Sequence, residues 1–184
     1  MLKLNLGAGK SRIPGTIAVD IFDYGDNVVW DLASPDPLPF ADNSCDEFLM
    51  HHVLEHIPNP LRFMERLHRI AAPGAKLHIA APFAFSEAAL EDPTHINQFT
   101  FRSFVYYSQP AYCHADYGYR GDWDHDRVIV RTNADLSNLP YETLYQMCLT
   151  QRNVAIEIKA TLTAIKPIRP AIPELLKVPR VVFT

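Results

Sequence analysis

The chain has 184 residues, of which 48% are hydrophobic and 21% charged, with a formal net charge of −4. Such a length and composition suit one soluble globular domain with a sizeable core and exclude a disordered chain. The weak negative charge lacks the clustered Lys and Arg that a nucleic acid partner needs, and no run approaches the ~18 apolar residues of a membrane span.

Leu2 to Leu6 is a short apolar-rich run stopped by Gly7-Ala8-Gly9, which reads as a strand feeding a glycine turn. No long apolar segment of a secretory signal stands at this start, so the expected location is cytoplasmic. Lys10 to Thr16 contains Pro14 and Gly15 and leaves room for one helical turn at most before a second strand, Ile17 to Ile21. A third strand is predicted over Asn27 to Leu32 and a fourth, after a proline-punctuated loop, over Cys45 to His52. Asn59 as N-cap and Pro60 in the first turn start a helix with Leu61, Met64, Leu67 and Ala71 on one face, ended by Pro73-Gly74-Ala75. Lys76 to Ala81 supplies a fifth strand. The second half reads as a short helix over Phe101 to Gln109, strands over Asp126 to Arg131 and Val154 to Ile165, and a helix over Tyr141 to Thr150. Strands alternating with crossovers imply a mostly parallel sheet covered by helices, an α/β fold. Residues 1–165 form the expected single domain, with lid and substrate segments at about 83–125, and 166–184 a proline-rich tail packed on it. Cys45, Cys113 and Cys148 are scattered and odd in number, which predicts reduced thiols rather than a disulfide framework.

In an open parallel sheet, ligands bind beyond the carboxyl ends of the strands. Gly7 and Gly9 follow the first strand, where glycines let backbone approach a ligand and tolerate positive φ; a purely structural tight turn is the alternative reading. Asp20 ends the second strand, and a carboxylate there can accept both hydroxyls of a ribose. Asp31 ends the third in the same layer, as a second acid of a nucleoside grip or as a loop-ordering residue. HHVLEH, His51 to His56, contains H-x-x-E-H with His52, Glu55 and His56, the ligand pattern of one class of zinc peptidases. That pattern needs an unbroken helix, which a strand ending at His51-His52 and a proline at Pro58 disfavour, so no metal is assigned. A second histidine stretch, EDPTHINQFTFRSF from Glu91 to Phe104, follows the fifth strand at the same edge, and His95 within it is the strongest candidate base. Tyr106 to Trp123 carries five tyrosines, whose faces suit a sugar ring, a planar metabolite or ordinary packing.

LNLGAG, AVDI, WDLASPDPLPFADNSCDEFLMHHVLEHIPNP and MERLHRIAAPGAKLHIAAP, in this order over about residues 2 to 105, resemble the class I S-adenosylmethionine-dependent methyltransferases of the methyltransferase 11 type. The resemblance implies a Rossmann-like seven-stranded sheet of order 3-2-1-4-5-7-6 with the seventh strand antiparallel. It implies S-adenosylmethionine as cofactor, with Leu6, Gly7, Ala8 and Gly9 on the methionine part and Asp20 on the ribose. Ile21 would touch the adenine, Asp31 and Leu32 would sit at its edge, and His51 would lie near the sulfonium. Asn5 stands where many relatives have an acid, the third glycine of the usual turn is replaced by Lys10 and Ser11, and the N-terminal helices are shortened or missing. Methyl transfer depends mostly on in-line positioning. A hydroxyl acceptor also needs its proton removed, with His95 as the expected base and His51 or His52 next. The expected acceptor is a small molecule or glycan precursor, methylated at oxygen or nitrogen. The alternatives are a methyltransferase-like binding or regulatory protein without turnover, and a zinc hydrolase. Shortened crossovers predict apolar sheet surface that a homodimer could cover.

Overall fold

The computed structural model describes residues 1–136 and 138–184. Its centre is one eight-stranded sheet of order β3-β2-β1-β4-β5-β7-β6-β8. The strands are β1 (Leu2–Leu6), β2 (Ile17–Asp20), β3 (Val28–Val29), β4 (Cys45–His51), β5 (Ala71–Pro82), β6 (Trp123–Thr132), β7 (Ala155–Ala164) and β8 (Arg180–Phe183). β1 to β5 pair in parallel, and β7 runs antiparallel to both neighbours. The expected seven-strand order therefore holds, with the antiparallel strand where the resemblance put it. The eighth strand corrects the expectation of an extended tail. After Pro179 the β-branched pair Val181-Val182 pairs in parallel with the outer edge of β6.

One face of the sheet is apolar in register from strand to strand. Leu4 lies beside Phe48, Phe48 beside Leu77 and Leu77 beside Leu162; one pleat further on, Leu6, Met50, Ile79, Ala160 and Val128 form a second row. All of these side chains are buried. Helix α1 (Pro60–Ile70) buries Phe63, Met64, Leu67 and Ile70, with Asn59 Oδ1 capping it through the Arg62 N–H at 3.2 Å. It stops at Ile70, two residues short of expectation, because Ala71 is already extended and opens β5. Trp123, fully buried, donates from Nε1 to Met64 O at 3.0 Å and meets Phe48 and His68 edge to face.

The opposite face is polar, contrary to the apolar surface expected from short crossovers. Lys3, Glu47, Lys76 and Thr163 form one cross-strand row, and Asn5, Leu49, His78 and Thr161 the next. Lys3 pairs with Glu47 at 2.5 Å, and Lys76 donates to Thr163 Oγ1 at 2.7 Å. Such pairs satisfy the face in water, so the missing helices leave no greasy scar.

The expected helix over Phe101 to Gln109 is instead two 3-10 turns, Ser103–Tyr107 and Gln109–Tyr112, separated by an extended Ser108. Pro110 has no N–H for a continuing helix but fits the first turn of a new one. Two further helices, α2 (Glu87–Leu90) and α3 (Tyr141–Thr150), complete the set of α-helices among the described residues, α3 with the bounds expected. The tail is strapped down by Arg169, which donates from N and Nε to Asp122 Oδ2 at 3.0 and 2.8 Å, from Nη2 to Oδ1 at 2.7 Å and from Nη1 to Asp124 Oδ1 at 3.0 Å. Cys45 and Cys148 are buried and Cys113 half-buried, all as free thiols.

Candidate functional site

β1, β2 and β4 finish side by side, and the turn leaving β1 is hydrogen-bonded to the end of β2 and lies against Val53 of the chain leaving β4. The stretch between β1 and β2 contains turns but no helix. Gly7 and Gly9 both adopt positive φ, +60° and +53°. They do different work: a Cβ on Gly7 would lie 2.4 Å from Val53 Cγ2, whereas one on Gly9 would meet nothing within 4 Å. The turn is thus packed against the chain leaving β4 on one side and open on the other. Leu6 and Ala8 are buried beneath it.

Asp20, only 8% exposed, accepts the Gly9 N–H on Oδ2 at 2.7 Å and the Phe22 N–H on Oδ1 at 3.1 Å. Each carboxylate oxygen keeps a further lone pair, so the group both shapes the turn and retains acceptor capacity toward the open side. Trp30 N donates to Asp20 O at 2.8 Å, which brings the third segment alongside. β3 itself ends at Val29, two residues before Asp31. Asp31 is exposed, and its Oδ1 accepts the Ala33 N–H at 2.8 Å, the loop-ordering arrangement of the two readings. Leu32 is buried, and its carbonyl accepts Arg66 Nη2 at 3.1 Å. Ile21 is 53% exposed beside Asp20 and offers an apolar face to a planar ring. Arg12 was not foreseen. It donates to Gly9 O at 2.9 Å and to Asp26 Oδ1 from Nε at 2.7 Å, and lies 5.8 Å from the Tyr24 ring centroid. An arginine and an acid in two short loops carry no periodic signal by which sequence reading could have paired them.

The histidines divide between two environments. His51, the last residue of β4, lies beside Ala80 on the open polar face; burial, then the neighbouring His52, lowers its pKa. His52 has φ +55°, with Nδ1 3.3 Å from Glu55 Oε1 and Nε2 3.4 Å from Glu157 Oε1 on β7. Leu54–His56 is a single 3-10 turn, so His52 and His56 share no α-helix and the peptidase-type ligand pair does not form.

His56 faces the segment that follows β5. The Ile96 and Asn97 N–H groups donate to Glu55 O at 2.9 and 3.0 Å, and Asn97 Nδ2 donates to Leu54 O and Ile57 O at 3.0 and 2.7 Å. Asp92 accepts the Thr94 N–H and hydroxyl at 2.8 and 2.6 Å, and these bonds hold its carboxyl below the usual carboxylate range. Thr94 Oγ1 lies 3.0 Å from His56 Nδ1, and the His56 and His95 rings meet edge to face at 4.7 Å. His95 keeps 10% of its side chain exposed, with Nε2 3.7 Å from Asp92 Oδ2 and a buried Nδ1 that has no hydrogen-bond partner. His95 is therefore joined to the His51–Ile57 segment through Glu55 and His56 rather than through His51.

Beyond His95 opens a cleft of about 510 Å³, lined by Leu61, Asn97, Phe99, Tyr106, Tyr107 and Tyr117 among others. The tyrosines serve both readings. Tyr107 and Tyr119 are buried and joined by a 2.9 Å bond from Tyr119 Oη to Tyr107 O, while Tyr106 and Tyr117 are 56% and 67% exposed.

Residues 15–79 match the methyltransferase-domain family model. No curated protein matches the sequence. Solved structures do. A S-adenosylmethionine-dependent methyltransferase from Archaeoglobus fulgidus superposes with a TM-score of 0.58 at 14% identity, over 88% of this chain and 85% of its own. One from Thermotoga maritima, described as a possible histamine N-methyltransferase, gives 0.56 at 14% identity, over 89% and 82%. One from Methanosarcina mazei gives 0.54 at 17% identity, over 89% and 92%. At such identities the likeness is one of fold. The chain shares the fold of these methyltransferases, and the methyltransferase-domain match falls on residues 15–79, about a third of its length.

Proposed function

We propose that this protein transfers a methyl group from S-adenosylmethionine to an oxygen or nitrogen of a polar small molecule or a glycan precursor. The observation that carries the reading is the junction of β1 and β2, where Asp20 fastens the Gly9 N–H at 2.7 Å and the turn beside it stands open. Those residues fit the cofactor. Gly9 leaves space for a chain laid across the turn, Asp20 has acceptor capacity for ribose hydroxyls, and Ile21 presents exposed apolar surface for adenine. Leu6, Gly7 and Ala8 would floor the methionine end, Asp31 and Leu32 would border the adenine, and His51 would stand nearest the sulfonium. When bound, S-adenosylmethionine supplies a methyl group already activated on sulfur.

What remains for the chain is placement and proton removal. The tyrosine-lined cleft holds the acceptor by ring faces, and His95, next in the chain to Ile96 of its lining, is the imidazole assigned to the group to be methylated. His51 and His52, turned toward the open face and β7, are second choices. Calorimetry with S-adenosylhomocysteine tests the cofactor site. Asp20→Ala should weaken binding by about 1.5–3 kcal/mol through lost charged hydrogen bonds. Equal affinity of wild type and variant would reject the role of Asp20, and no binding by the wild type at millimolar ligand would reject the function.

A further inference from the structure

We infer that Glu55, His56 and His95 form a binding site for one divalent transition-metal ion of the zinc type. One donor atom of each lies within 4.8 Å of the others. Donor atoms around a tetrahedral zinc stand about 3.3 Å apart, so closing on an ion needs shifts of roughly an ångström. The carboxylate makes the case more than a mere cluster would. Glu55 is 1% exposed, and neither of its oxygens has a hydrogen-bond partner among the described residues. His52 Nδ1 approaches Oε1 to 3.3 Å but without hydrogen-bond geometry. A carboxylate withdrawn from water without donors is costly, and a cation held between it and two imidazoles removes that cost.

The surroundings prepare the imidazoles as ligands. Metal-bound histidines commonly engage their other ring nitrogen with an oxygen, which fixes the tautomer and the ring plane. His56 does so through Nδ1, 3.0 Å from Thr94 Oγ1 and 3.3 Å from Thr94 O, leaving Nε2 free. His95 has its Nε2 3.7 Å from Asp92 Oδ2, leaving a buried, unpartnered Nδ1. The two ligand-bearing segments are also locked to each other by the four bonds from Ile96 and Asn97 to the backbone oxygens of Leu54, Glu55 and Ile57. Two nitrogens and one oxygen select zinc, cobalt or iron over magnesium or calcium, and three protein ligands leave a position for water or substrate.

The site stands on its own geometry. It rests on the methyltransferase reading only in what it would do there. With an ion bound, His95 is a ligand rather than a free base, and the ion polarises an acceptor hydroxyl entering from the tyrosine-lined cleft. The test uses the full chain stripped with a chelator and titrated with zinc alone, then with cobalt alone for its visible absorption, without cofactor. Wild type should take up one equivalent of zinc with a rise in melting temperature, and give cobalt bands of a nitrogen and oxygen site without thiolate charge transfer. His56→Ala, His95→Ala and Glu55→Gln should abolish this uptake, and Thr94→Ala should weaken it about 10- to 100-fold. Should Glu55→Gln not fold, His95→Ala decides alone. Zinc bound equally by wild type and His95→Ala, cobalt on thiolate, or no uptake by wild type would each overturn the proposal. Separate titration with S-adenosylhomocysteine, without metal, keeps the two readings distinguishable, because a chain that binds it but takes no zinc loses only this inference.

Discussion

Gly7 and Gly9 share a left-handed backbone yet face different surroundings, and this separates their substitutions. Gly7→Ala adds backbone strain and drives a Cβ to 2.4 Å from Val53 Cγ2, while Gly9→Ala adds strain alone. The first should cost more than about 2 kcal/mol and the second about 1 kcal/mol in urea unfolding. Val53→Ala should recover part of the Gly7→Ala loss, since it removes the colliding methyl; full additivity of the two changes would contradict the packing described. The same residues show how much of the site the sequence disclosed. Gly7, Gly9 and Asp20 were legible because a turn after one strand and an acid at the end of the next are local features. Asp31 was less legible: β3 stops at Val29, and the acid lies in the following loop, where its Oδ1 accepts the Ala33 N–H. Glu55 was visible only as part of a peptidase-like pattern. Its closeness to His95 depends on a 3-10 turn and on a loop forty residues later in the chain, neither of which has a periodic signature.

At the scale of elements, Asp122 is the knot between the 3-10 turn at Gln109–Tyr112 and the tail. It is fully buried, receives the Gln109 N–H at 3.1 Å and holds Arg169 through both carboxylate oxygens. Removing one partner leaves the other charge buried, so Asp122→Ala should cost about 3–5 kcal/mol in equilibrium unfolding. The paired change Asp122→Asn with Arg169→Met should cost clearly less. Equal losses would mean that the ion pair is not what fastens the tail. Strands β1, β2, β4, β5, β6 and β7 and helices α1 and α3 were readable from apolar runs, caps and glycine stops. β8 was not, because four prolines between Lys166 and Arg180 suppress any period and the pairing of Val181 and Val182 is set only by the free edge of β6. The helix expected over Phe101 to Gln109 breaks at the extended Ser108, and Pro110 falls in the first turn of the separate 3-10 turn that follows.

For the molecule as a whole, one apolar sheet face carries the core while the other lies polar and open. Buried histidines make this core sensitive to acid. Burial lowers the pKa of His68 and of His125 below the ordinary histidine value. The unfolded chain therefore binds more protons than the folded one between the depressed values and about 6.5, the unfolded reference, and stability falls as pH drops through that window. Burial opposes ionisation of Asp124, but its bonds from Lys177 and Arg169 prevail and depress its pKa. Its contribution, full above about pH 3.9, is lost in a second, more acidic step. Melting temperature should hold above pH 7 and decline on going to pH 5, and a flat or rising profile there would refute neutral buried histidines. The most direct test of the central claim is an amide-shift titration of the labelled chain with S-adenosylhomocysteine. The account predicts that the largest shifts cluster at Gly7 to Gly9 and Asp20 to Phe22; shifts confined to the open face around Lys76 and His125, or none at millimolar ligand, would contradict it.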